Sequence, residues 1–362
     1  MRALVCAIVA MIGLAAQPVQ AQTDRTEGSF WKAVQARCDA TAAKPTSEIG
    51  QRIASAANEE FSRFGGHEID STGRLFHFGL TEAEHEEDDG GDRPARMDHL
   101  GWWQVMRYWR ALYDSDPTDK IEVRGYRDAS SSTQEAQSAD VLRTSAADLL
   151  RAVDGVADPA IREVLREAAL RGAILDTPWS AAFISYVIRQ AGAGANAFKF
   201  ANAHRIYIYD AFATSKAELA NEGGDRIYRA CPLATTKPRA GDMVCQQREP
   251  SLVDASEDSV MERIRSDLAG NSPPSIRRTH CEVVAFIDAP ARKLYSIGGN
   301  VNQAVTARKL NLRRNMKFSA SQKGYCGGPG HWTLPQPPAE TPHGPEKCSL
   351  NDRKWFVLLQ VR

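Results

Sequence analysis

An α+β fold follows from three features of the chain. Apolar residues recur at helical spacing through the first half. From residue 241 onward, short alternating or continuous apolar runs take over. Polar and Gly/Pro-rich stretches separate these segments, with no internal repeat. Helices followed by strands are the pattern of an α+β domain with an antiparallel sheet.

The elements follow in order. The opening MRALVCAIVAMIGLAAQPVQAQ places Arg2 before an apolar run from Ala3 to Ala16, then small residues at Val19 and Ala21. That is the pattern of a signal peptide cleaved after Ala21, and it predicts a periplasmic or secreted protein. No later run is apolar enough to span a bilayer, so no transmembrane segment is expected. Residues 22–45 are polar and Ala-rich, a loose helix or tether, and 46–362 are expected to form a single domain. In 46–66, Ile49, Ile53, Ala57, Phe61 and Phe64 fall on one helical face, with Thr46 as cap and Gly65-Gly66 as stop.

RLFHFGL (74–80) alternates as a strand. The acidic run 82–92 reads as a solvated loop; a cation held by Glu82, Glu84, His85 and Asp88 would need a fixed loop geometry. In 97–113, Leu100, Trp103, Met106, Trp109 and Leu112 make a helical stripe behind a capping Asp98, suited to core packing or to sugar stacking. Residues 128–140 are a polar loop, and 158–172 a helix with Pro159 in its first turn and Gly172 at its end. Strands are expected at 241–246, 280–288, 293–299, 304–310 and 355–361, with a hairpin turn at Asp288 to Pro290. Residues 247–279 read as a polar, Arg-rich insertion, and 313–362 as a C-terminal extension whose loop 324–348 is stapled by cysteines.

Charge excludes one class of partner. Lys plus Arg number 45 and Asp plus Glu 45, so no net field steers a polyanion, and nucleic acid is not expected. Loss of the leader removes Cys6 and leaves six cysteines, an even number that suits disulfides in an exported chain. Many pairings are open; the expected set is Cys326–Cys348, Cys245–Cys281 and Cys38–Cys231. No paired Cys/His spacing suggests zinc, and neither a metal nor another cofactor is expected.

The candidate site begins at DTPWSAAFISYVI. Asp176 or Thr177 can cap a helix, with Pro178 first inside it and Ser180 in its first turn. Ala181 to Ile188 make that helix apolar nearly all round, hence central. The helix end favours an anion there by about 0.3–1 kcal/mol. That would help a thiol ionise but leaves a hydroxyl needing a general base. A serine in a first turn is equally a cap. His280 is the base candidate; it opens a strand on whose face Glu282 also lies. Asn300, in the GGN turn after the next strand, could orient the imidazole, or be a plain turn residue. Trp179, His204 and Glu282 are candidate binding residues, with surface or core packing as the plainer role.

The order PWSAAFI, RAGDMV, THCEVV, IGGN resembles papain-like cell-wall amidases of the NlpC and CHAP type, with serine in the cysteine position. The resemblance implies Ser180 as nucleophile, His280 as base and Asn300 as third residue, on a central helix packed against an antiparallel sheet. A nearer resemblance is to the bacterial family called domain of unknown function 2272. It rests on PWSAAFIS, Ala203-His204, Asp242 with Cys245, His280-Cys281 and Gly298 to Asn300, and spans roughly 47–312. That family name implies no activity. The expectation is therefore an exported hydrolase of cell-wall peptide or other acyl bonds, with peptidoglycan or another envelope component as partner. Its rival is a non-catalytic binding or structural module on a degenerate amidase fold.

Overall fold

The computed structural model describes residues 20–83, 100–113, 116–126, 141–252, 254–322 and 349–362. Residues 1–19 of the expected leader, Glu84, His85, Asp88, Asp98, the loop 128–140 and Cys326 with Cys348 lie outside the described residues. Helices α1 (Gln20–Ala42), α2 (Glu48–Arg63), α3 (Gly101–Leu112), α4 (Ala146–Asp154), α5 (Pro159–Asp176), α6 (Ser180–Gln190), α7 (His204–Leu219) and α8 (Glu257–Ala269) are described. So are strands β1 (His67–Ile69), β2 (Leu75–His77), β3 (Glu122–Tyr126), β4 (Val141–Ser145), β5 (Tyr228–Pro232) and β6 (Met243–Gln247), followed by β7 (Thr279–Asp288), β8 (Lys293–Val301), β9 (Ala304–Asn311) and β10 (Lys354–Val361). The α+β class is as expected.

The main sheet runs β2-β1-β9-β8-β7-β6-β10-β5. It is mixed rather than antiparallel throughout, because β1 pairs parallel to β9. A parallel neighbour needs a long crossover, and the helices between β1 and β9 supply it. The stretch read as an extension ends in β10, which sits inside the sheet between β6 and β5. Asp242 holds it there: one carboxylate oxygen accepts the Val361 N–H and the other the Arg239 N–H, both at 2.8 Å.

One sheet face carries the larger core, packed by α2, α3, α6 and α7. Helix α6 is buried from Ser180 to Ile188, as its all-round apolar pattern predicts. Phe183, Ile184, Val187 and Ile188 are fully buried, and a side chain of that size contributes about 1.5–3 kcal/mol on burial. The other face carries a smaller core of Val34, Val244, Val284, Leu294, Leu310 and Trp355. Cys38 of α1 and Cys231 of β5 are joined across it. Cys245 and Cys281 face each other directly on β6 and β7 and form the second disulfide among the described residues. Both pairings match the expected set.

Several local expectations change. Ser47, not Thr46, is the α2 N-cap, while Gly65 and Gly66 stop the helix at φ 68° and 78°, a conformation glycine adopts readily. In α3 the buried face is Trp102, Val105, Met106, Tyr108 and Trp109, which leaves Trp103 half-buried with Arg110 over its ring. The tertiary partner is a broad surface rather than a narrow seam, so the face is rotated from the expected stripe. Gly172 lies inside α5, facing Val123 of β3, rather than at the helix end. The 247–279 segment contains α8, whose Val260, Met261 and Ile264 enter the core.

Candidate functional site around Ser180

Helix α6 starts later than its sequence suggests. Asp176 ends α5 and Thr177 is its C-cap. Their side chains hold β3: Asp176 accepts the Arg124 N–H at 2.8 Å, and the Thr177 hydroxyl accepts the Glu122 N–H at 2.9 Å. Trp179 is the N-cap of α6, with no side-chain capping bond, and Ser180 is the first helical residue. The serine hydroxyl is therefore free for a partner other than its own helix end.

That partner is His204, the first residue of α7, whose Nε2 lies 2.7 Å from Ser180 Oγ. The sequence expectation put His280 in this position. His280 stands one ring further on, its centroid 4.9 Å from that of His204 at an interplanar angle of 62°. Serine and both histidines are buried, Ser180 at 8 % exposure, His204 at 4 % and His280 at 2 %. The sequence offers His204 as a candidate binding residue beside Ala203, not as the partner of Ser180. Tyr207, three residues on and therefore on the same helical face, adds a contact between its hydroxyl and His204 Nδ1.

The protonation of His204 follows from its second nitrogen. The backbone N–H of Cys281 points at Nδ1 at 3.3 Å. A backbone amide can only donate, so Nδ1 holds a lone pair. In a neutral imidazole the proton is then on Nε2, and Nε2–H donates to Ser180 Oγ. Burial, the neighbouring His280 and Arg248 all hold His204 well below its ordinary pKa, so the ring is neutral. A general base for Ser180 needs the reverse tautomer, with its lone pair at Nε2.

His280 belongs to a second, ionic cluster. Its Nε2 is 3.4 Å from Glu282 Oε1, long for a hydrogen bond. Neither ring nitrogen has a hydrogen-bond partner among the described residues. Burial lowers its pKa, although Glu282 pulls the other way. Glu282 is fully buried and accepts from Arg308 Nε at 2.7 Å and Ser296 Oγ at 2.6 Å. Burial would raise its pKa, but Arg308, His280 and Ser296 outweigh it and bring it down to about 2.

Asn300 sits in the β8–β9 bulge at φ 54° and makes no hydrogen bond to His280 among the described residues. Gly298 faces that ring instead: a Cβ there would lie 3.2 Å from His280 Nε2. Trp179 is core, stacked on Phe64 with centroids 6.0 Å apart, and its Nε1–H donates to Glu82. Glu82 is thus turned inward, and burial pushes its pKa up to about 7.

With this geometry in hand, comparison with known proteins adds the family. Residues 96–361 match the family described as uncharacterized proteins conserved in bacteria, DUF2272, and the chain belongs to it. The match starts later and ends later than the 47–312 resemblance, so it takes in the C-terminal strand. Searches of curated proteins and of solved structures return no match.

Proposed function

We propose that the chain is a non-catalytic binding module of the bacterial envelope, built on a papain-like helix-and-sheet framework, in which Ser180 and His204 join two helices rather than cleave a bond. The observation that carries this reading is the Cys281 N–H on His204 Nδ1, which leaves Nε2 a donor to the serine. The burial of Ser180, 8 % exposed, supports it. The two disulfides suit an oxidising compartment. Among the described residues no helix is long and apolar enough to cross a membrane.

A second reading, a serine hydrolase of cell-wall peptide or other acyl bonds, draws on the 2.7 Å serine–histidine contact. It requires His204 to give up the Cys281 N–H and change tautomer, and substrate to open a path to a buried hydroxyl. A serine-reactive fluorophosphonate probe separates the two. No labelling of the folded wild type is expected. Labelling that vanishes in Ser180→Ala would overturn the binding-module reading in favour of hydrolysis.

A further inference from the structure

The polar ends of β6 and β10 form a cavity that the serine site does not use. The β6–β7 ladder ends with Gln246 opposite His280 and Gln247 opposite Thr279. Just beyond it, Arg248 is pinned through its backbone N–H to Arg278 O at 2.7 Å. The turn before β10 brings Arg353 and Lys354 to the same place. Together with Gln246, Glu249 and Asp352 these basic residues line a cavity of about 190 Å³. It shares Arg353 and Lys354 with an adjoining chamber of about 510 Å³ walled in part by Trp355 and Phe356.

The charges here do not close among themselves. The buried carboxylate of Glu282 is taken by Arg308 and Ser296. Glu249 Oε1 accepts the backbone N–H groups of Arg277 and Arg278, each at 2.7 Å. Among the described residues no carboxylate forms an ion pair with Arg248 or Arg353. Burial lowers the pKa of both; Glu282 pulls each back up, and the Arg308 guanidinium pushes each down. Arg248 also lowers Arg353, and Asp352 beside it only partly offsets this. Guanidinia held in one another's field, with Glu282 acting on both but ion-paired to neither among the described residues, are an arrangement that an oxyanion completes through planar bidentate hydrogen bonds. His280, 2 % exposed, lies across the ladder from the cavity-lining Gln246, with Glu282 Oε1 3.4 Å from its Nε2 and no hydrogen-bond partner at either ring nitrogen among the described residues.

We propose that this cavity is an oxyanion-binding site that takes a phosphate or carboxylate group between Arg248 and Arg353 and houses the rest of the ligand in the adjoining chamber. It names the ligand class of the binding module proposed above and rests on that reading. Asp254 and Glu257 on the chamber wall disfavour a second anionic group there, so the site selects a ligand with one anionic end.

Isothermal titration of the full chain at low ionic strength, with inorganic phosphate and separately with N-acetylglycine, tests this. Saturable one-to-one binding of at least one probe is expected. Phosphate alone points to a phosphoryl source, N-acetylglycine alone to a carboxylate-bearing one. Arg248→Ala and Arg353→Ala should each weaken binding about tenfold or more, Arg248→Lys should recover part of the loss, and the distant surface change Arg151→Ala should leave it unchanged. Failure of both probes to saturate the folded wild type, or undiminished affinity in both alanine variants, overturns the site. Fluorophosphonate labelling of the same preparation keeps the two ideas apart. Labelling with Arg-dependent binding retained sinks only the non-catalytic reading, whereas absent binding without labelling sinks only the oxyanion site.

Discussion

Replacing Ser180 by alanine discriminates between a structural and a catalytic serine. Ser180 Oγ and His204 Nε2 lie 2.7 Å apart, the Cys281 N–H on Nδ1 makes the serine oxygen the acceptor, and the histidine is 4 % exposed. Alanine removes the acceptor and leaves a buried N–H unpaired. Stranding a buried donor costs about 1–3 kcal/mol, and the small methyl-sized site cannot recruit solvent without opening α6 from α7. Urea unfolding followed by tryptophan fluorescence should therefore show a lower midpoint at unchanged slope. A double-mutant cycle with His204→Ala should return a coupling of about 0.5–3 kcal/mol, because the second change deletes the stranded donor. Nitrogen-15 spectra of the imidazoles supply an independent readout, with His204 protonated at Nε2 and bare at Nδ1. A wild-type-like or raised midpoint in Ser180→Ala, or a His204 proton on Nδ1, would refute the reasoning. A catalytic serine held in a strained site is the kind of residue whose removal is neutral or stabilising.

Four further outcomes follow from the packing, the charges and the disulfide. The folded-state pKa of Glu82, about 7, lies above its ordinary value of 4.5. Its contribution is thus fully present below about pH 4.5 and is lost as pH rises to about 7, by about 1.4 kcal/mol per pH unit at most; Glu82→Gln should flatten the urea midpoint between pH 5 and 7.5. Glu282, held at about 2, has the opposite sign: its contribution is present above about 4.5 and lost as pH falls toward 2, so Glu282→Gln should remove part of the acid-unfolding transition. A Cβ at Gly299 would meet Phe183 Cβ at 2.5 Å; overpacking of this kind costs about 1–3 kcal/mol, so Gly299→Ala should lower the thermal midpoint, and an unchanged midpoint would show that α6 can shift. Cys38→Ala with Cys231→Ala opens a bridge of sequence separation 193 and should cost about 2–5 kcal/mol, read by urea unfolding under non-reducing conditions.

Local pattern carried much of the fold. The all-round apolar run after Ser180 predicts a central helix, and α6 is one. Alternating runs at 280–288, 293–299 and 304–310 fall on β7, β8 and β9. The segments that escaped were short or polar. Strand β1 spans only His67–Ile69, below the length at which alternation can be read. Helix α8 hides three core residues in a charged stretch. The Ser180 side of the site was legible as a helix start, and the histidine partner was not. His204 and His280 are both imidazoles beside an unremarkable neighbour in sequence, and choosing between them requires knowing where α7 crosses the sheet.

The sequence by itself determined which residues are apolar and with what period, which cysteines are present, and that a serine opens the most buried helix, since these depend on residues a few positions apart. Tertiary packing alone inserts β10 between β6 and the edge strand β5 and sets β1 parallel to β9. It also decided that a backbone N–H of β7 reaches His204 and sets its tautomer. The physical reason is range: periodicity reports which way a side chain faces, whereas a proton's location depends on a donor 77 positions away in the chain, brought within hydrogen-bond reach by packing.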